Sequence, residues 1–354
     1  MLSKINVGLV GATGAVGREV LRILEQRHFP LASLKIFSSS KSAGRPIPFH
    51  GAEIFAEELK EDESFKGLDL VFFATSSSVS EKYAWKAAQT GAFVIDNSSC
   101  FRMDPHVPLV VPEVNGEALE RAKETRLIAN PNCTTAQMVV VLKPLHDHFN
   151  IKRIVLSSYQ AVSGKGQKGI NELNNQIQDY VLKKSSKVEA FPHPIAFNCI
   201  PHIDTFWEDG FTGEEHKVIE ETKKILGNNS IRIAATCVRV PVFNGHSESV
   251  SIETEKPISP QQAREVLNQI PGIKVIDEPR NNRYPLAQLA SGKDEVFVGR
   301  MRQDPSFLPS ENGLLLWIVA DNLRKGAALN AVQIAENLLD RGILKPGAPL
   351  DGKT

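Results

Sequence analysis

One cysteine in this chain stands where a thiol can react. The segment 128–145 reads IANPNCTTAQMVVVLKPL, with Pro131 and Asn132 before Cys133 and a helical pattern directly after it. A thiol at a helix N-terminus meets the positive end of the helix dipole, which favours the nucleophilic thiolate. Backbone N–H groups at the same helix start can hold an oxyanion on an attacked carbonyl. The competing reading makes Cys133 a small buried hydrophobe, as most cysteines are. Cys100, Cys199 and Cys237 fit that description, whereas Cys133 sits at a strand-to-helix turn beside an asparagine suited to capping. His246, in FNGHSES, is the residue type that can take a thiol proton near neutrality and pass it on. A lone histidine is as readily a packed or solvated residue, so these residues alone leave both readings open.

A second motif concerns phosphate. Gly11, Gly14 and Gly17, in GATGAVG, follow the apolar run 5–10 and open a helical stretch, 15–27. Glycines there let the backbone turn tightly and approach a pyrophosphate, which rests on the unpaired N–H groups of the helix start. A ligand-free turn is the bland alternative, and the position between first strand and first helix favours the nucleotide. NAD-preferring sites place a carboxylate near the end of the second strand. Here that strand ends in FSSSKSAG, where Ser38, Ser39, Lys41 and Ser42 offer hydroxyls and one cation. That set suits a ribose 2′-phosphate, and hence NADP, although a solvated polar turn would look similar.

These groups need a scaffold. At 354 residues the chain is long enough for two domains. Apolar strands at 5–10, 33–38, 68–74 and 92–96, alternating with helices at 15–27 and 79–90, predict a doubly wound α/β domain with a parallel sheet. Farther along, strand-like segments at 153–159, 231–240, 247–253, 295–300 and 314–320 lie wider apart and suit a largely antiparallel sheet. Helices at 168–183, 214–226 and 260–269 cover it, and an amphipathic helix over 323–341 can return to the first domain. The tail after Leu344 is expected to fray.

Forty-one basic and 41 acidic side chains cancel, so no global field draws the protein to nucleic acid or an anionic membrane. No signal-peptide pattern and no run of about 20 apolar residues is present. The four cysteines form no CxxC, which argues against zinc and a disulfide framework and makes a reducing cytoplasm the expected compartment.

NPNCTTAQ resembles the cysteine box of the aspartate-β-semialdehyde dehydrogenases. The likeness runs through GATGAVG, NSSCFRM (97–103), YQAVSGKG (159–166), RVPVFNGHSESV (239–250) and DNLRKGAA (321–328), covering essentially the whole chain. FNCIPHIDTF (197–206) and GEEHKVIEETKKIL (213–226) further resemble the branch common in Gram-positive and many other bacteria. The resemblance implies a Rossmann-type NADP-binding domain over 1–130, completed by a C-terminal helix at 322–345. It also implies an α+β catalytic and dimerisation domain over 131–321, with a mixed, largely antiparallel sheet.

For the site, the resemblance implies Cys133 as nucleophile and His246 as general acid/base. Arg102, Lys217 and Asn132 then meet phosphate, Glu214 the substrate amine, and Arg239 the α-carboxylate, while Gln160 orients the acyl group. NADP(H) is expected at Gly11, Thr13, Gly14, Ala15, Val16, Ser38, Ser39, Lys41 and Ser42. Ser163 and Gly164 are expected on the nicotinamide side and Asn322 at the carboxamide. Judged by residue type alone, Glu214 and Lys217 form a solvated helix salt bridge and Arg239 is an ordinary strand arginine.

The implied reaction is NADPH-dependent reduction of L-4-aspartyl phosphate to L-aspartate 4-semialdehyde through a thioester. In the family it serves lysine, diaminopimelate, threonine, methionine and isoleucine synthesis, in a homodimer or a tetramer of paired dimers and without a metal. The rival activities are N-acetyl-γ-glutamyl-phosphate reductase and glyceraldehyde-3-phosphate dehydrogenase. Their cysteine boxes carry a Gly-Cys pair and a Ser-Cys-Thr-Thr-Asn run respectively. A silent NADP-binding paralogue is the other rival, but such paralogues typically lack the cysteine. The chain departs from many relatives at Lys165, where they carry a small residue. A cation there bears on the geometry of that turn and on phosphate affinity.

Overall fold

The computed structural model describes residues 4–60 and 64–346. The chain forms two compact units, one comprising residues up to Pro131 together with those from Ala327 onward, the other Asn132–Gly326.

In the first unit lie β1 (Ile5–Val10), β2 (Leu31–Ser38), β3 (Pro46–Phe49), β4 (Ala52–Phe55), β5 (Glu57–Glu58), β6 (Leu70–Phe73), β7 (Phe93–Asp96) and β8 (Leu127–Ala129). Six of them form one sheet in the order β5-β2-β1-β6-β7-β8, with every pair parallel. β6, β7 and β8 are buried throughout, which is why they read as uninterrupted apolar runs. Strand order reverses at β1, so the glycine loop that follows it sits at a topological switch point. β3 and β4 form a separate hairpin turned by His50 and Gly51, both in the left-handed region. Four-residue strands carry too little periodicity to be read from sequence, and this hairpin was not expected.

Helix Ala15–Gln26 buries Val20, Leu21, Ile23 and Leu24 in the core of this unit. The far end of the chain joins the same core through Leu329, Val332, Ile334, Ala335 and Leu338. Buried Asn330 donates to Val110 O at 2.9 Å and to Asn130 Oδ1 at 2.7 Å, fixing that helix in register. Where one helix over 323–341 was expected, the chain makes a π-helical turn, Arg324–Ala328, and then the α-helix Leu329–Asp340. Most of the tail expected to fray, residues 347–354, lies outside the described residues.

The second unit holds β9 (Ile151–Gln160), β10 (Arg232–Arg239), β11 (His246–Thr254), β12 (Ile273–Val275), β13 (Val296–Gln303) and β14 (Gly313–Ala320), in the order β10-β9-β11-β14-β13-β12. The sheet is mixed. Its three central pairings are antiparallel, whereas β9–β10 and β12–β13 are parallel. Parallel neighbours need a long crossover, and the excursion from Ala161 to Ile231 supplies one. That excursion has a small core of its own, with Val162, Leu173, Phe191, Ile195 and Ile200. Gln176 Oε1 pins its return by accepting from Ile195 N at 2.8 Å and Ala196 N at 3.0 Å.

Helix Cys133–Phe149 lies against this sheet and is flanked by helices Gly213–Leu226 and Pro260–Leu267. The flanking helices start at capping boxes, Thr212 with Glu215 and Ser259 with Gln262. Among the described residues, no helix is long and apolar enough to cross a membrane.

Candidate active site

Three strand ends meet at one edge of the second sheet. Gln160 ends β9 and pairs with Arg239, which ends the parallel β10, while His246 begins the antiparallel β11. Topology thus brings together residues separated by up to 86 positions. Two helix starts add Cys133 and Glu214.

Cys133 is the first residue of its helix and is partly exposed. Asn132 caps it, its Oδ1 accepting from Thr134 N at 2.9 Å and Thr135 N at 3.2 Å. Those two N–H groups are engaged by the cap, which narrows the backbone donors open to a substrate oxyanion beside the thiol. Helix Gly213–Leu226 grips the same asparagine twice. Glu214 Oε1 accepts from Asn132 Nδ2 at 2.8 Å, and buried Glu221 accepts from Asn132 N at 2.6 Å. On the other side stands Gly326. A Cβ there would come within 2.7 Å of Cys133 Cβ, so only glycine fits behind the thiol.

His246 is fully buried, and its Nδ1 accepts from Ala161 N at 3.0 Å. With Nδ1 engaged as an acceptor, the neutral ring carries its proton on Nε2. Among the described residues Nε2 has no hydrogen-bond partner. Burial, and then the Arg239 charge, hold the imidazole well below its usual pKa, so the ring is neutral near pH 7. The same Ala161 accepts from Arg239 Nη1 through its carbonyl at 2.7 Å, so one backbone residue sets both side chains. A Cβ on Gly164 would lie 2.7 Å from Arg239 Nη1 and 3.4 Å from His246 Nε2. The missing side chain leaves working space between guanidinium and imidazole.

Arg239 is buried over the face of Phe191 at 6.0 Å. Burial lowers its pKa, opposed by Glu214, Cys133 and Cys237, which places the guanidinium within electrostatic reach of the thiol. Gln160 Nε2 donates to Glu214 Oε1 and to Ser158 Oγ, both at 3.2 Å. Lys217 Nζ lies 3.6 Å from Glu214 Oε2 and 2.5 Å from Asp204 Oδ2. Asn132, Gln160, Glu214 and Lys217 thus form one connected cluster, and Arg239 adds its charge to it. Ser163 and Asn322 exchange hydrogen bonds at 2.9–3.1 Å, and Asn322 Oδ1 also accepts from Gly245 N at 2.9 Å.

The remaining expected residues belong to the first unit. Arg102 is buried and donates to Asn130 O at 2.9 Å and Asn97 O at 2.8 Å. Gly11, at φ 88°, presses on Ala74 O, where any Cβ would approach to 2.2 Å. Thr13, Ala15 and Val16 remain partly accessible and Gly14 is exposed. Helix Ala15–Gln26 has no side-chain cap and no acid in its first turn, so its N–H groups suit a pyrophosphate. Ser38 is buried at the end of β2, with Ser39 and Lys41 exposed and Ser42 partly exposed beyond it. Pairing of β5 with β2 also sets Glu57 and Glu58 beside Phe37 and Ser38, a proximity the sequence conceals.

Glu248, two residues after His246 on β11, is fully buried, and neither carboxyl oxygen has a hydrogen-bond partner. Burial pushes its pKa well above the ordinary 4.5, only partly offset by the nearby Gln137 amide. Among the described residues Gln137 Oε1 is itself unpartnered. A carboxyl whose folded pKa is raised contributes full stability below its unfolded pKa and loses it as pH rises through the folded value. Glu248→Gln should therefore raise stability at pH 8 by on the order of 1–3 kcal/mol, with little gain at pH 4.5. Denaturant titrations at the two pH values check this. A variant no more stable at pH 8 would mean that the fold compensates an ionised Glu248.

Ala161, Glu221, Asp204, Glu248 and Gly326 were not singled out from sequence. Gly326 did leave a signal, a glycine inside an otherwise helical run, DNLRKGAA. The others left none, since they act through contacts across the fold.

Residues 6–122 match the family model described as semialdehyde dehydrogenase, NAD binding domain, and residues 142–325 match semialdehyde dehydrogenase, dimerisation domain. An aspartate-semialdehyde dehydrogenase of Aquifex aeolicus is 54% identical, covering 96% of this chain and 99% of that protein. Among solved structures, aspartate semialdehyde dehydrogenase II of Vibrio cholerae complexed with ASA is 44% identical, with a TM-score of 0.91 over 96% of this chain and 99% of its own. The Candida albicans enzyme with NADP is 26% identical, with a TM-score of 0.76 over 96% and 100%.

Proposed function

The chain belongs to the aspartate-semialdehyde dehydrogenase family, and on that premise we propose that Cys133 is the nucleophile with which it reduces L-4-aspartyl phosphate to L-aspartate 4-semialdehyde. NADP(H), when bound, supplies the hydride. The observation that carries this reading is the arrangement around the thiol: a capped helix start, an unpartnered Nε2 on His246, and Arg239 held by the same Ala161.

The Cys133 thiolate attacks the C4 carbonyl, and the C–O bond to phosphate breaks, leaving a thioester. His246 Nε2–H donates to the carbonyl oxygen as negative charge gathers on it. With Nδ1 engaged by Ala161, any proton that His246 exchanges passes through Nε2. Once the thioester carbon is reduced, the oxyanion expels the sulfur, which restores the thiolate and releases the aldehyde. Lys217 and Asn132 are the groups of the second unit assigned to phosphate, and Arg102 that of the first. Arg239 receives the α-carboxylate and Glu214 the α-amine, with Gln160 steadying the acyl group.

For the cofactor, the loop Gly11–Val16 is assigned to pyrophosphate and Ser38, Ser39, Lys41 and Ser42 to the 2′-phosphate. Ser163, Gly164 and Asn322 are assigned to the nicotinamide end.

Buried Arg239 and Glu214 suit an amino-acid zwitterion, which glyceraldehyde 3-phosphate lacks. The test runs the reaction backwards with NADP⁺ and inorganic phosphate, following absorbance at 340 nm. Aspartate semialdehyde should give a phosphate-dependent rise at least about 100-fold faster than glutamate semialdehyde or glyceraldehyde 3-phosphate. A comparable rate with either rival would overturn the substrate assignment. We assign the subunit contact of a homodimer, or of a tetramer built from two, to the second unit. Exposed Tyr159, Tyr180, Phe197 and Trp207 support this with apolar surface. The cytoplasm is the assigned compartment, in keeping with four unbridged cysteines.

A further inference from the structure

Lys217, the ammonium assigned to phosphate, already has a carboxylate against it. Asp204 Oδ2 lies 2.5 Å from its Nζ, closer than Glu214 Oε2 at 3.6 Å. Asp204 is no helical neighbour. It comes from the excursion between β9 and β10 and is held there by three features. Its backbone lies in the left-handed region at φ 73°. Its Oδ1 accepts from Thr205 N at 2.9 Å. Its carboxyl rests on Gly213, where a Cβ would come within 3.0 Å of Oδ2. A non-glycine residue in the left-handed region and a close approach to Gly213 thus combine to set one carboxylate against the first turn of the Lys217 helix.

Helix capping does not explain this placement, because Thr212 and Glu215 already form a complete capping box. Burial would raise the Asp204 pKa, but the bond and charge of Lys217, the Thr205 N–H and the field of Lys165 together hold it below the usual carboxylate range. Asp204 is therefore ionised at neutral pH, with Lys217 against it and Lys165 within electrostatic reach.

We propose that Asp204 sets the anion affinity of the phosphate pocket, holding the Lys217 ammonium in place while cancelling part of its charge. Phosphate must then share Lys217 with a fixed negative group, which weakens its hold and speeds its departure. The counter-charge also meets the field of Lys165. The inference rests on the assignment of Lys217 to phosphate.

The test measures KM for inorganic phosphate in the phosphorylating direction, with aspartate semialdehyde and NADP⁺ saturating. Asp204→Asn removes the charge and keeps one oxygen, which can still accept from Thr205 N, whereas the bond from Oδ2 to Lys217 is lost. It should lower KM for phosphate about fivefold and leave KM for aspartate semialdehyde within about twofold. Structural damage would raise KM, so a merely structural role cannot mimic this result. Lys217→Met, run alongside, should raise KM for phosphate at least about tenfold. If Lys217→Met has that effect but Asp204→Asn leaves KM unchanged or higher, the counter-ion role is overturned alone. If Lys217→Met leaves KM unchanged, the phosphate assignment falls and the role of Asp204 falls with it.

Discussion

Cys133→Ser is expected to lower kcat by about 10³–10⁵-fold while leaving NADPH affinity within about twofold. The substitution is nearly isosteric, and the smaller oxygen fits beside Gly326, where the sulfur-bearing carbon leaves no room for a side chain. Asn132 continues to cap the helix, because its bonds go to Thr134 N and Thr135 N rather than to residue 133. What is lost is chemistry. A serine hydroxyl is a far weaker acid than a thiol and stays protonated near neutral pH, and the neutral His246 carries its proton on Nε2. An ester would also be a poorer hydride acceptor than a thioester. Rapid-quench turnover and a fluorescence titration with NADPH measure the two halves of the prediction. Turnover within tenfold of the parent enzyme would remove Cys133 from the mechanism.

Arg239→Lys should raise KM for aspartate semialdehyde by about 30–100-fold, with a smaller fall in kcat. A planar fork can bond Ala161 O through Nη1 and still present its other N–H groups to a carboxylate. An ammonium on a shorter reach must abandon one of these partners. It also forfeits the contact of the guanidinium with the Phe191 ring. Because β10 and its pairing with β9 do not depend on the guanidinium, the fold should survive, and a thermal melt would verify that. An unchanged KM in a folded variant would place the α-carboxylate elsewhere.

Much of the site was legible because it is built from local geometry. Pro131-Asn132-Cys133 ahead of an apolar helical run places the thiol at a helix start whatever the rest of the chain does. Gly11, Gly14 and Gly17 likewise announce a strand-to-helix turn. The roles proposed for Arg239 and Glu214 were readable only through resemblance, since a strand arginine and an i,i+3 Glu–Lys pair are ordinary surface features by spacing alone. Two of the backbone N–H groups beside Cys133, those of Thr134 and Thr135, are taken by the side chain that caps the helix, which narrows the donors open to an oxyanion there.

Hydrophobic periodicity and glycine placement determined the parallel α/β unit and a second sheet of wider-spaced strands, and they marked Cys133 as a thiol at a helix start, because those depend on neighbours a few residues apart. Tertiary structure alone decided that Ala161 holds both Arg239 and His246 and that Gly326 backs the thiol. It likewise decided that Glu221 fixes the residue before the thiol and that Asp204 reaches Lys217. Each of those contacts joins groups brought within bonding distance by sheet register or by a long crossover, and neither is encoded in the spacing of the residues concerned.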